Sequence, residues 1–460
     1  MEATTQPALD ARPPAHTIAG ELPVLARMAL PLVLTNAGNM LLGLVDVAVV
    51  GRLGDAAIAG AGLGNAIYFT AALFGLGTLF GLDPLLSQAI GAGDRRGARA
   101  VLTQGLWLAA LLSVPLALVI ALVAWALPWL GQEPEVAASA RAYVLARLPS
   151  LLPFLGLTAM RAYLQALNAS RALVVGVVLA NVVNLPVAIA LSFGVPAIGL
   201  PAMGVQGAGL AATVATVVQL AVALAPLRVL DRERGLSAMP RGLDRPALAR
   251  AFRLGAPIGA QIVLEAGSFS IVAFLVGTFG RLPLGAHQIA LTCVSCTFQI
   301  ALGVSAATSV RVGSAVGQGD RLGARTAGVT GIVLGGAGML AGAAIFGSVP
   351  RVVARALTDR PELVEAAVPF LIVAACFQLS DGVQTVSQGA LRGAGDTRWP
   401  FLLNALGHYG IGLPIALALT YLLHLGAVGL WWGLSAGLTA VAVAMTVRFV
   451  RVSGRPIARV

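Results

Sequence analysis

Long apolar runs separated by short polar punctuation recur along this chain, and each is near the roughly 20 residues that a helix needs to cross a bilayer. Reading the runs in order predicts twelve spans: 28–51, 57–86, 100–129, 138–165, 172–193, 205–227, 254–278, 284–313, 326–348, 364–391, 399–423 and 428–449. Spans 2, 3, 4, 8 and 10 are the longest, which predicts tilt or extension beyond the hydrocarbon. The pattern divides the chain into a tail (1–27), six spans (28–227), a charged connector (228–253), six more spans (254–449) and a second tail (450–460).

Composition sharpens the class. Apolar residues make up 58% of the chain, charged residues only 11%, and mean hydropathy is +0.88; soluble domains carry about a quarter charged residues. The chain is therefore expected to be an all-α polytopic membrane protein. A formal net charge of +11 would otherwise suggest nucleic acid, but every basic residue is Arg and most lie in connectors. With both termini in the cytoplasm, Arg95, Arg96, Arg99, Arg171, the connector arginines from Arg228 to Arg253, Arg321, Arg325, Arg392, Arg398 and the tail arginines fall inside. The other face receives Arg52, Arg141, Arg281, Arg351, Arg355 and Arg360, diluted by Asp55, Glu133, Glu135, Asp359, Glu362 and Glu365. That is the positive-inside pattern of a multi-pass protein of the cell membrane. Arg161 and Arg311 fall near cytoplasmic helix ends and can snorkel; Arg147, deep in span 4, does not fit the scheme. Residues 1–20 are polar, include Pro13-Pro14 and read as a short disordered cytoplasmic tail, not a cleaved signal. Cys293 and Cys296 have the spacing of half a metal or redox motif, but no second pair completes it, so they and Cys376 read as small helix-packing residues.

An internal repeat organises the spans. Gly91-Ala92-Gly93-Asp94-Arg95-Arg96-Gly97-Ala98-Arg99 recurs 226 residues later as Gly317-Gln318-Gly319-Asp320-Arg321-Leu322-Gly323-Ala324-Arg325. The same offset pairs Pro31 with Pro257, Gly51 with Gly277, Gly54 with Gly280 and Gly77 with Gly303. Six spans per half is an even number, so both halves enter the membrane in the same sense. Two six-helix bundles related by a pseudo-two-fold axis along the membrane normal follow, an arrangement suited to alternating access. The Gly-rich turns lack the preceding strand and following Lys of a phosphate loop. They are expected to reverse the chain, with Asp94 and Asp320 capping or pairing with Arg. No motif for nucleotide binding is present.

Four carboxylates fall inside spans: Asp46, Asp83, Glu265 and Asp381. An acid near mid-bilayer costs about 3 kcal/mol on insertion scales, so it persists where it meets water, an ion or a partner. Such a group can hold a proton, a sodium ion or a cationic substrate in turn. At the repeat offset Glu265 pairs with Asn39 and Asp46 with Val272, so the acids break the symmetry. Asp83 precedes Pro84 near a helix end, where capping or binding Arg is the expected role. Asn39, Asn181, Asn184, Gln261, Gln288 and Gln384 are weaker candidates for ion or substrate contact, with helix–helix hydrogen bonding an equal alternative; His408 and Tyr409 are similarly open.

Several stretches together resemble one family over essentially the whole chain. They are Leu44-Val45-Asp46 with Gly51-Arg52-Leu53-Gly54, the two Gly-x-Gly-Asp turns, Gly285-Ala286-His287-Gln288-Ile289-Ala290-Leu291, and Gly389-Ala390-Leu391-Arg392-Gly393-Ala394-Gly395-Asp396-Thr397-Arg398. The resemblance is to the multidrug and toxic compound extrusion (MATE) transporters, NorM-type branch. It implies two six-helix lobes around a central cavity, and export of amphipathic, often cationic drugs in exchange for sodium ions or protons, with no cofactor and as a monomer. It implies that Glu265 and Asp381 are the acidic pair of that branch, that Asp46 is the helix 1 acid of bacterial members, and that Asn184 is the amide joining it. Asp46, Glu265 and Asp381 are then the possible sodium ligands. An acid found in some members four residues after Asn184 is Ala188 here, which leaves sodium or proton open.

Two other functions make distinguishing demands. A flippase for a lipid-linked precursor needs several arginines facing the cavity, whereas the deep ionisable groups here read as mainly acidic, with Arg147 the lone exception. An intramembrane enzyme needs a nucleophile with a base, and no such constellation appears.

Overall fold

A computed structural model describes residues 16–233 and 242–460. Twelve helices in it are long and apolar enough to cross a membrane: α1 Ile18–Val50, α2 Asp55–Gly91, α3 Arg95–Leu130, α4 Pro134–Ala166, α5 Arg171–Phe193, α6 Val205–Leu227, α7 Arg245–Gly277, α8 Arg281–Gln318, α9 Arg321–Ser348, α10 Pro361–Gly393, α11 Arg398–Leu422 and α12 Ala427–Ser453. Among the described residues no strand forms beyond an isolated bridge between Val195 and Leu200. Helices satisfy every backbone donor and acceptor internally, which hydrocarbon requires. Large apolar side chains such as Val114, Val182, Phe274 and Leu422 stand exposed around the outside, as a lipid-facing surface demands. This is a multi-pass α-helical membrane protein.

Two helices begin nine or ten residues earlier than the apolar pattern predicts. α1 starts at Ile18, capped by the Thr17 hydroxyl, which accepts from the Gly20 N–H at 3.2 Å. α7 starts at Arg245, capped by Asp244, with proline in its first turn. Charges and prolines interrupt both extensions (Glu21, Pro23 and Arg27; Arg245, Pro246, Arg250 and Arg253), which hid them from a search for unbroken apolar runs. The first carries Glu21, which receives two hydrogen bonds from Arg311, at 2.6 and 2.9 Å. The tail and the connector are thus shorter than 1–27 and 228–253. The first fifteen residues, and Arg234 and Arg241 of the connector, lie outside the described residues.

The repeat is visible in matched local geometry. Gly54 and Gly280, ahead of α2 and α8, share φ of +109° and +108°, a region that a side chain strongly disfavours. Gly93 and Gly319 sit at φ +76° and +74°. Behind them Asp94 and Asp320 cap α3 and α9 by accepting from the Gly97 and Gly323 N–H groups at 2.7 and 2.8 Å. These aspartates are helix caps.

Contacts between the halves follow the same register. Gly77 lies against Gly259 and Gly303 against Val33, and both members of the second pair are one repeat away from a member of the first. Gly91 against Ser314 and Gly317 against Gln88 are related in the same way. Each contact maps onto the other when the halves are exchanged, which is what a two-fold axis between them produces. Small residues allow this close approach of helices. Across the axis α1 packs on α8, and α2 packs on α7 and α8.

The lobes meet on the membrane face that carries both termini. There Asp83 pairs with Arg392 at 3.2 Å, Gln88 donates to the Gly393 carbonyl at 3.1 Å, and the Val460 N–H donates to Gln88 Oε1 at 2.9 Å. Nearer the other face, the interlobe polar contact among described residues is a thiol–thioether approach of Cys296 to Met40 at 3.9 Å.

Candidate functional site

A cavity of about 570 Å³ lies between the lobes, with walls from α1, α2, α4, α7, α8 and α10 and smaller contributions from α5, α6 and α11. Most of its wall is apolar, including Leu73, Leu76, Phe154, Phe269, Val294 and Phe298. Its charged groups lie at two levels, among neutral polar side chains such as Asn36, Asn39, Gln219 and Gln261.

The upper level belongs to α7 and α10. Glu265 and Asp381 both line the cavity and lie within range of each other's charge. Glu265 is held from behind by neutral amides: Gln384 Nε2 donates to one carboxyl oxygen and Asn404 Nδ2 to the other, each at 3.0 Å. Asn404 sits on α11, just before that helix widens into a π-helical turn over Leu406–Gly412. Within the widened turn, the Tyr409 hydroxyl donates to the Leu264 carbonyl at 2.8 Å, and His408 is buried near Ser268. Asp381 is buried and makes no hydrogen bond or ion pair with the described residues. Asn39 and Gln261 share the cavity wall.

The lower level lies where α2 breaks between Leu79 and Leu82. Gly81 there rests on Ala251 and Gly255 of α7, and the break presents Phe80 to the cavity. Arg161 of α4 lies over the Phe80 ring at 4.4 Å and Arg392 of α10 at 4.9 Å, both within cation–π range. Asp83, three residues after Phe80, pairs with Arg392.

The sequence-predicted residues thus divide. Glu265, Asp381, Asn39 and Gln261 come together on one cavity, and Gln384 reaches Glu265 from behind. Asp46 lies apart in the first lobe, where Asn184 Nδ2 donates to it at 3.0 Å, and neither residue is on the cavity wall. Arg147 is within range of the Asp46 charge. It donates to Asn65 Oδ1 at 2.7 Å and packs over the rings of Tyr68 and Phe69, which accounts for a deep arginine that loop counting left unplaced. Asn181 donates to the Gly38 and Val177 carbonyls at 3.0 and 2.8 Å, tying α5 to α1. Gln288 is exposed, away from the cavity. Asp46, Glu265 and Asp381 therefore do not form one ion site. Among the described residues no three His, Cys, Asp or Glu side chains gather as metal ligands; a sodium ion here would need neutral oxygens beside one or two acids.

Sequence reasoning missed Asn404, Arg161 and Arg392 as cavity or site residues. Asn404 gives no signal in isolation, because only the packing of α11 on α7 brings it to Glu265. The two arginines read as loop-side charges near helix ends; the break beside Gly81, with phenylalanine before it, was the available hint that the cavity reaches so deep.

The sequence model of the MatE family matches residues 31–190 and again 257–418, one match in each lobe. The chain belongs to the MATE family. The probable multidrug resistance protein NorM of Pseudomonas putida is 38% identical over 444 residues, covering 93% of this chain and 94% of the relative. The probable NorM of Deinococcus radiodurans is 37% identical, covering 95% and 97%. Among solved structures, the eukaryotic MATE transporter AtDTX14 superposes with a TM-score of 0.83 at 22% identity, over 94% of this chain and 96% of that one. A multidrug resistance MATE family transporter in an outward-facing conformation gives 0.85 at 18% identity, over 95% and 96%. Those structures share the fold: twelve helices in two related six-helix lobes.

Proposed function

We propose that this MATE protein exports amphipathic, often cationic drugs or toxic compounds in exchange for sodium ions or protons, by alternating access. The observation that carries the reading is the pair Glu265 and Asp381, on one mostly apolar interlobe cavity with neutral amides behind Glu265 and, among the described residues, no Arg bonded to either acid. Acids kept in that setting serve a positive visitor. In the cycle, a cation taken up at Glu265 and Asp381 on the open face weakens their hold on drug, and its release on the other face restores it. Each charge moved through 100 mV supplies about 2.3 kcal/mol, enough to sustain a drug gradient. The mostly apolar area of the wall suits loose specificity. With the arginine-rich face placed in the cytoplasm of the cell membrane, the lobes are closed inside and the cavity belongs to the outward-facing state. One chain supplies the whole cavity, consistent with a monomer.

The test is uptake of a fluorescent organic cation into inside-out proteoliposomes, with sodium and pH gradients imposed separately. Wild-type protein is expected to respond to at least one gradient. Glu265→Gln and Asp381→Asn are each expected to lower gradient-driven uptake at least tenfold. Near-normal driven transport by both variants would end the assigned mechanism.

A further inference from the structure

The outward face of the second lobe carries a trough separate from the interlobe cavity. It holds about 640 Å³ between α11 and α12. Its floor is a small-residue face of α12, with Ser435, Ala436, Ala440 and Ala444, and its wall is Ile411 and Ile415 of α11. On their inner sides the two helices touch closely, Gly412 against Gly437 and Gly433 against Ala416. Turns of π-helix over Leu406–Gly412 and Ala418–Leu422 widen α11 along the same stretch. The exposed hydroxyl at the trough, Thr439, is already spent: it donates to the Ser435 carbonyl at 2.8 Å and shares a hydrogen bond with Ser380 at 2.9 Å. The occupant this length suits is therefore apolar.

Both helices run from the trough to the face that carries the termini, and there the chemistry changes. The exposed residues of α11 lead from Ile411 through Leu406 and Leu402 to Trp399 and Arg398, and those of α12 from Val443 through Val447 and Val450 to Arg451. Arg448 ties the two ends together. Its Nε donates to Asp396 at 2.8 Å and its guanidinium lies over the Trp399 ring at 5.0 Å, with 35% of the side chain still exposed. Three arginines thus stand with one paired carboxylate, and the excess charge at the foot of the trough is positive. The depths also agree. α12 rises about 14 Å from Ser435 to Ala444, close to the ~15 Å of hydrocarbon in one leaflet. Arg448 and Arg451 follow about 6 and 10 Å further on, at the level where headgroups lie and where tryptophan collects.

We infer that this face binds one anionic phospholipid, with an acyl chain in the α11–α12 trough and the phosphate at Arg398, Arg448 and Arg451. The trough supplies apolar area, the arginines supply charge-assisted hydrogen bonds to phosphate, and each arginine near the membrane surface is worth about fivefold in affinity for anionic lipid. A zwitterionic headgroup would bring its own cation beside the arginines and gain less. A second copy of this chain fits worse, because a two-fold contact through this face would set arginines against arginines. The site lies outside the interlobe cavity and stands whether or not the export reading does.

In the experiment, full-length protein purified free of lipid in detergent is titrated with phosphatidylglycerol and with phosphatidylcholine of the same acyl chains. Bound lipid is counted by native mass spectrometry. Wild type is expected to hold one phosphatidylglycerol about tenfold or more tightly than phosphatidylcholine. Arg398→Gln and Arg451→Gln are each expected to weaken phosphatidylglycerol about fivefold while changing phosphatidylcholine less than about twofold. Ala440→Phe fills the trough without touching the charges and is expected to weaken phosphatidylglycerol by about tenfold or more. Leu122→Phe, on an exposed position of α3 in the other lobe, is expected to leave it unchanged. Ala436→Leu repeats the block if Ala440→Phe does not fold. Equal affinity for the two lipids in wild type, or losses confined to the arginine variants or to the trough variants, would overturn the site. So would displacement of the lipid by soluble glycerol phosphate, which would mean that the arginines take an anion alone. A dimer that binds no lipid and is lost in Ala440→Phe would give the trough to a second copy and overturn the site as well.

Discussion

At the scale of single residues, the site is defined less by its acids than by what surrounds them. Glu265 is positioned by two amides from two other helices, whereas Asp381 has none, so the same chemical group is held rigidly at one place and left free at another. A hydrogen bond to a charged group contributes about 1.5–3 kcal/mol. Asn404→Leu and Gln384→Leu are each expected to lower thermal stability in detergent by an amount in that range, with both variants still inserted. An unchanged melting curve for both would mean that the amides do not hold the carboxyl in the purified protein. The acids themselves were legible in the sequence, because a carboxylate inside a long apolar run is conspicuous. Their partners were not. Asn404 becomes a partner of Glu265 only through a contact between residues 139 apart, and Gln384, one turn from Asp381, turns out to bond the other acid.

At the scale of elements, the span pattern was readable wherever apolar character alone marked a helix, and failed where helix and hydropathy part company. The starts of α1 and α7 are capped by Thr17 and Asp244 and interrupted by charges and prolines, so a search for unbroken apolar runs passed over them. The repeat was readable for the opposite reason: its markers are turn residues whose backbone geometry tolerates few alternatives. Asp94 and Asp320 occupy equivalent caps with nearly equal hydrogen bonds of 2.7 and 2.8 Å. Loss of an N-cap costs about 1 kcal/mol. Asp94→Ala and Asp320→Ala are therefore expected to lower stability by similar amounts, and, with no shared partner, to add in the double variant. A large effect at one cap and none at the other, measured by thermal unfolding, would show that the halves are alike in shape but not in energetics.

At the scale of the whole molecule, the contacts between the lobes are concentrated on one face, and that asymmetry is what gives the cavity a direction. Glu21 and Arg311 form the best-developed interlobe pair, with Glu21 only 5% exposed and two bonds at 2.6 and 2.9 Å. It joins α1 of one lobe to α8 of the other. Removing one partner of a buried pair costs about 3–5 kcal/mol, because the other charge is left behind. Glu21→Gln and Arg311→Gln should each favour arrangements in which the lobes have parted on this face, by roughly a hundredfold or more. Spin labels at Arg52→Cys and Arg281→Cys, near the far ends of α1 and α8, report the change. Their distance distribution is expected to shift to shorter values in either variant, and to return toward the wild-type distribution when Glu21→Arg is combined with Arg311→Glu. If the lobes are instead held by the glycine contacts alone, at Gly77 against Gly259 and Gly91 against Ser314, neither single variant will move the distribution. In that case the ion pair is an ornament of the interface, and closure of this face must be sought in the packing of α2 on α7.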